Sequence, residues 1–137
     1  MTPRYLVDTS AYSAFLRGHD QVTECIQKSD LLALNPVILG ELLAGFRDGS
    51  RLEENRAWLE QFLSSSRVRV LDVDRETADR YSEIHVYLKR RGTPIPANDV
   101  WIAASAMQHG LYVLTTDPHF ERVVQVSVEL CPASTVG

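Results

Sequence analysis

The chain has 137 residues, 45% of them hydrophobic, and a formal net charge of −4 at pH 7. This predicts one globular domain, residues 1–137, with apolar material for a real core. No run reaches the roughly 18 apolar residues of a membrane span, and the acidic balance excludes broad electrostatic affinity for nucleic acid but not a cation held in an acidic pocket.

Met1-Thr2-Pro3-Arg4 runs straight into Tyr5-Leu6-Val7 with no apolar signal core and no small-residue cleavage site, so a cytoplasmic location is expected. Tyr5-Leu6-Val7 reads as a short buried strand, and Asp8-Thr9-Ser10 places three candidate helix caps at its end. A helix is expected over Ala11–Leu16, ending near Gly18, and a second from Asp20 through Lys28. Leu31-Leu32-Ala33-Leu34 is read as a strand. Asn35-Pro36 restarts a helix, with proline at a tolerated first position. Ile38, Leu42 and Phe46 make one apolar stripe on it, with Glu41 beside the stripe. Gly40, Ala44 and Gly45 keep this helix thin enough for a close approach. Ser50–Leu63 predicts another helix. Trp58, Leu59 and Phe62 on it are either core or partner surface.

Val68–Leu71 is a third strand candidate, flanked by Arg67 and Arg69. Asp74 opens a long helix to Arg91, with Ala78, Tyr81, His85 and Leu88 as its expected inner face. Lys89-Arg90-Arg91 reads first as a solvated basic end. Ile95-Pro96-Ala97-Asn98-Asp99 then starts an apolar helix to Gln108, with Asn98 as expected N-cap and Asp99 in the first turn, at the positive end of the dipole. Tyr112–Thr115 is a fourth strand, Thr116-Asp117-Pro118 a turn into a short helix with Phe120, and Val126–Leu130 a fifth strand before a loose tail beyond Pro132. Cys25 and Cys131 are far apart and fit no metal spacing, so reduced thiols are the default.

Strands alternating with helices predict a three-layer α/β/α sandwich around a parallel sheet. Residues that follow strand ends share one edge of such a sheet, where ligands bind. Asp8 follows the first strand, Asp117 the fourth, Asp99 opens the helix feeding the fourth, and Glu41 lies just inside the helix leaving the second. Singly, Asp8, Asp99 and Asp117 read as caps. Glu41 has no capping role, so it is either solvated or part of a site. Together they converge. Crowded carboxylates raise one another's pKa unless a cation intervenes, and an oxygen-rich site suits a hard divalent ion and metal-assisted phosphodiester hydrolysis.

Four motifs in this order carry a resemblance over nearly the whole chain: Leu6-Val7-Asp8-Thr9-Ser10, Ile38-Leu39-Gly40-Glu41-Leu42, the stretch Ile95 to Ala104, and Leu114-Thr115-Thr116-Asp117-Pro118-His119-Phe120. The chain resembles the PIN domain, and within it the VapC-type toxin ribonucleases of bacterial toxin–antitoxin pairs. The resemblance implies that Asp8, Glu41, Asp99 and Asp117 form an acidic quartet binding Mg²⁺ or Mn²⁺ for RNA cleavage. Asp8 and Asp99 would be the direct ligands, Glu41 a water-mediated ligand or proton acceptor, and Asp117 the outer member. Thr9, Ser10 and Thr115 match small polar positions that support the acids or approach phosphate, and Asn98 matches a common neighbour of the third acid. A further acid often lies two residues beyond the fourth. His119 stands there instead, open to a role as ligand, phosphate contact or surface residue.

The resemblance also implies an RNA substrate, a cognate VapB-type antitoxin lying across the groove, a homodimer, and DNA contact only through the antitoxin. Competing readings are a PIN-like RNA-processing nuclease without antitoxin, a non-catalytic RNA- or protein-binding module, and a phospho-accepting receiver. The last would want paired acids after the first strand and a lysine near the last; Asp8 stands alone and no Lys follows Leu114.

Overall fold

Five short strands lie side by side, all parallel, in the order β3-β2-β1-β4-β5. They are β1 (Tyr5–Val7), β2 (Leu32–Leu34), β3 (Val68–Val70), β4 (Tyr112–Thr115) and β5 (Val128–Leu130). The computed structural model describes residues 2–133. Among the described residues, six helices connect the strands and cover the sheet as a three-layer α/β/α sandwich: α1 (Thr9–Leu16), α2 (Asp20–Lys28), α3 (Pro36–Asp48), α4 (Leu52–Leu63), α5 (Arg75–Arg91) and α6 (Ala97–His109). A 3₁₀ turn, Pro118–Arg122, follows β4.

The central strands are apolar on both faces because both are covered. Leu6, Val7, Ala33, Leu34, Val113 and Leu114 are fully buried. Chain order and strand order diverge at β1: β2 and β3 extend the sheet to one side, β4 and β5 to the other. That reversal opens a crevice beyond the carboxyl ends of β1 and β4. Val7 pairs with Leu114, so the residues just after them emerge together at that edge.

Several expectations shift. The first helix starts two residues earlier than expected, because Asp8 caps it from the strand end: its side chain accepts from the Ala11 N–H. The apolar helix α6 is not capped by Asn98. It begins at Ala97, and the Pro96 carbonyl accepts from Asp99 and Val100, so Asn98 already lies inside the first turn. Its side chain is free to point elsewhere. Of the expected inner face of α5, Leu88 is buried and Tyr81 packs on α6, whereas Ala78 and His85 are exposed; the buried stripe is Thr77, Ile84 and Leu88. Spacings of seven and four hold that stripe against α6, where the rings of Tyr81 and Trp101 stack at 4.2 Å. The Ile38, Leu42 and Phe46 stripe of α3 is buried as expected. The face carrying Gly40 and Gly45 is open: nothing lies within 4 Å of an added Cβ at either. Arg67 donates to the carbonyls of Ile26 and Ser29, so it fastens α2 to the chain before β3. Cys25 and Cys131 are free. Most of the tail expected beyond Pro132 falls outside the described residues. Among the described residues, no helix is long and apolar enough to cross a membrane.

Candidate active site

Asp8 leaves β1 with its side chain 3% exposed. Its Oδ1 accepts from Ala11 N–H at 2.8 Å and from Ser10 Oγ at 2.8 Å, and its Oδ2 accepts from Thr115 Oγ1 at 2.7 Å. Thr115, fully buried at the end of β4, accepts in turn from the Asp117 N–H at 2.9 Å. Ser10 Oγ accepts from the Thr116 N–H at 3.0 Å. Both hydroxyl protons are spent on Asp8, so the two hydroxyls close the ends of β1 and β4 into one hydrogen-bonded ring.

Burial nonetheless dominates the electrostatics of Asp8. Loss of water pushes its pKa up to about 6, against the lowering by Thr115, Ala11 and Ser10, and Asp117 adds a further push upward. Asp99, in the first turn of α6, is also raised to about 6. Burial is the first cause there, followed by the charges of Asp117, Glu41 and Asp8, with His119 opposing. Each of the other three acids therefore acts on Asp99, which places the quartet in one field.

Glu41 reaches the same crevice from α3. Thr9 Oγ1 donates to its Oε1 at 2.5 Å and Asn98 Nδ2 to its Oε2 at 3.3 Å. Thus Asn98, displaced from the cap, ties the Glu41 helix to the Asp99 helix. A second tie, absent from the sequence expectations, lies beneath it. Asn35 is fully buried; its Oδ1 caps α3 through the Ile38 N–H at 2.9 Å, and its Nδ2 donates to Ser105 Oγ on α6 at 2.8 Å. An Asn-Pro pair signals the cap, but the Ser105 partner is 70 residues away and leaves no local signature.

Asp117 caps the 3₁₀ turn, its Oδ1 accepting from the His119 N–H at 2.9 Å. The His119 ring Nδ1 lies 3.1 Å from the same oxygen. One ligand atom each from Asp99, Asp117 and His119 can be chosen so that all lie within 4.8 Å of one another. In an octahedral site with bonds of about 2.1 Å, neighbouring ligands stand about 3 Å apart and opposite ones about 4.2 Å. The donors present therefore fit a divalent ion with small closure. Lys89, Arg90, Arg91, Arg47 and Arg51 are exposed.

A family model described as PIN domain matches residues 5–125, nearly the whole described chain and every residue of this crevice. The chain belongs to the PIN-domain family. Within that family its relatives include VapC ribonucleases. The PIN domain described here is 34% identical over 99 residues to the tRNA(fMet)-specific endonuclease VapC of Salmonella typhimurium, covering 72% of this chain and 74% of that protein. It superposes on VapBC2 from Rickettsia felis bound to a DNA fragment from their promoter with a TM-score of 0.81 and 25% identity, covering 92% of this chain and 97% of that one. DNA-bound VapBC from Salmonella typhimurium gives a TM-score of 0.81 at 28% identity, covering 93% and 97%.

Of Trp58, Leu59 and Phe62, read from the sequence as either core or partner surface, Leu59 belongs to the core. Phe62 packs edge-on to Tyr12 at 5.3 Å. Trp58 stands 53% exposed beside Leu16, above a hollow of about 240 Å³ that Tyr12, Phe15 and Phe62 also line.

Proposed function

We propose that this protein, as a single nuclease domain, is a divalent-metal-dependent endoribonuclease toxin of the cytoplasm, held inactive by a cognate VapB-type antitoxin. One observation carries the reading: four acids from four separate segments converge at the reversal point of the sheet, and two of them, Asp8 and Asp99, are pushed up to about 6, by burial first and then by neighbouring acids. A caps-only role for these acids would not crowd them. An RNA substrate is supported by the ribonuclease relatives, and an antitoxin by the VapBC assemblies to which the fold is similar.

Asp8, Asp99, Glu41 and Asp117 are the proposed holders of the ion, Mg²⁺ or Mn²⁺. When bound, the ion supplies charge neutralisation for the acids and Lewis-acid activation of water and phosphate. Asp8 is fixed by its ring of donors and orients the site. Glu41, held by Thr9 and Asn98, is the proposed acceptor of the proton lost by the attacking water. Water attacks phosphorus, and one P–O bond of the backbone breaks. Arg47 and the run Lys89-Arg90-Arg91 are the proposed cations for flanking phosphates. With a net charge of −4, contact with DNA is left to the antitoxin. A homodimer is part of the proposal, supported by exposed apolar surface at Val86 and Val124.

The test incubates purified protein with total RNA of its host, with Mg²⁺, Mn²⁺ or chelator, beside Asp99→Asn, and maps new RNA ends. New ends that need both metal and Asp99 are expected. Cleavage that persists with chelator or in Asp99→Asn at equal protein concentration refutes the assignment. Binding without new ends favours the non-catalytic module.

A further inference from the structure

Where the family resemblance leads one to expect a further acid, this chain carries an imidazole in an unusual setting. His119 is the second residue of the 3₁₀ turn, and its side chain is 43% exposed as a whole. Its Nδ1 is not: that atom is shut off from solvent and has no hydrogen-bond partner among the described residues. It faces Asp117 Oδ1 at 3.1 Å, a pair that is close but not aligned as donor and acceptor. The oxygen it faces already accepts from the His119 backbone N–H. A buried nitrogen beside a carboxylate with no hydrogen bond between them is poorly satisfied in the metal-free protein. The same two atoms stand at the separation of neighbouring ligands around one ion, about 3 Å. One ring nitrogen of His119 and one carboxylate oxygen each of Asp117 and Asp99 lie within 4.8 Å of one another.

We infer that His119 is a nitrogen ligand of the metal centre, and that it turns the site's preference from Mg²⁺ toward Mn²⁺ and the later divalent ions. This rests on the metal-dependent reading above. Carboxylates and water alone suit Mg²⁺, whereas imidazole adds a donor that Co²⁺ and its neighbours bind more strongly. A His in the acid's place also removes one negative charge from the cluster. The crowding on Asp99 and Asp117 is thereby less than an additional carboxylate would create. Asp117, through the pair it forms with His119, becomes part of the inner coordination rather than its outer support.

The experiment uses the full chain stripped of metal, with His119→Asn and His119→Asp, folding checked by circular dichroism. Bound Mn²⁺ is examined by pulsed electron paramagnetic resonance for nitrogen coupling, and Co²⁺ and Mg²⁺ affinities are measured by calorimetry. Nitrogen coupling is expected in the parent and not in His119→Asn. Co²⁺ affinity should fall about tenfold or more in His119→Asn, while Mg²⁺ affinity changes less than about threefold. His119→Asp should bind Mg²⁺ more tightly than the parent. An ion that binds and depends on Asp99 but shows no nitrogen coupling overturns this inference and leaves the nuclease reading standing. An unchanged Co²⁺-to-Mg²⁺ ratio in His119→Asn also overturns it. No binding of any divalent ion by the parent overturns both.

Discussion

Asp8→Asn separates the two jobs of Asp8, capping a helix and carrying a charge. An asparagine Oδ1 can still accept from Ala11 and Ser10, the bonds now made at 2.8 Å each. Its Nδ2 would donate to Thr115 Oγ1, which frees the Thr115 proton for Ser10 Oγ, 3.2 Å away. The ring of bonds survives with the Thr115 link reversed, and a buried charge disappears. Asp8 rises from 3.8 to about 6 on folding. About two pKa units correspond to roughly 3 kcal/mol of penalty for the charged form. The direction follows from the protons. The folded state binds a proton at Asp8 more tightly than the unfolded state. Its contribution to stability is therefore full below about 3.8 and lost as pH rises through about 6. A chain of 137 residues loses about 0.3 kcal/mol per degree near its midpoint. In chelator at pH 7.5, Asp8→Asn should thus melt as much as about 10 °C above the parent, and the gap should close at pH 4. Saturating Mn²⁺ should raise the parent more than the variant, which keeps Asp99, Asp117 and His119 but loses the Asp8 carboxylate. Thermal melts followed by circular dichroism at both pH values check this. A variant that melts at or below the parent at pH 7.5 would show that the donors around Asp8 outweigh its desolvation.

Three further outcomes follow from the same geometry. Because Asp8 and Asp99 both titrate near 6 without metal, protons compete with the ion: calorimetric Mn²⁺ affinity should fall by about a hundredfold from pH 7.5 to pH 5, since two protons must leave one unit below their pKa. Equal affinity at the two pH values would place the ion away from both residues. Thr115→Val removes the donor to Asp8 and the acceptor for the Asp117 N–H in a fully buried place, so it should cost about 1–3 kcal/mol in denaturant melts. It should also move the pH midpoint of Mn²⁺ binding upward, since one of the bonds that lower Asp8 is gone. Trp58→Ala should weaken inhibition by the antitoxin at least tenfold while host-RNA cleavage is unchanged; inhibition equal to the parent's would place the antitoxin elsewhere.

Much of the fold was legible because its signals are local. Apolar runs such as Tyr5-Leu6-Val7 and Val113-Leu114 read as buried strand in a chain that alternates them with helices, and both are buried. The acids after them reach one edge by topology alone. What escaped was set by tertiary partners. Asn98 has the composition of a cap, yet Pro96 takes that position and Asn98 is drawn to Glu41. The α5 stripe is only half legible, Tyr81 and Leu88 facing inward as expected, because Thr77, a polar residue, is buried: it caps with Asp74 and also donates to Gln108 at 2.5 Å. A hydrophobicity pattern cannot see a buried threonine whose partner lies on another helix. The Asn35–Ser105 bond was invisible for the same reason. Sequence spacing does not say which nitrogen of His119 is shielded.

The hydrogen bonds around the acids also divide their labour. Asp8 Oδ1 already accepts two bonds and Oδ2 one. A carboxylate oxygen has two lone pairs, so only Oδ2 keeps one free for an ion. Asp99 is shifted by burial and by neighbouring charges, with no hydrogen bond among the causes. Among the described residues no donor holds its carboxylate, so its acceptor capacity is left for an ion. Asp8 is therefore a rigid, single-point ligand whose orientation is settled before any ion arrives, and Asp99 is the adaptable one. Substitutions at the two positions should then differ in kind. Asp99→Glu keeps a carboxylate on an unencumbered side chain and should retain weak metal binding, whereas Asp8→Glu pushes an extra methylene into a site 3% exposed and breaks the ring that closes β1 on β4. Comparing Mn²⁺ affinity and melting midpoint for the two variants tests this. Equal losses of stability would mean that the ring does not fix Asp8 more firmly than the first turn of α6 fixes Asp99.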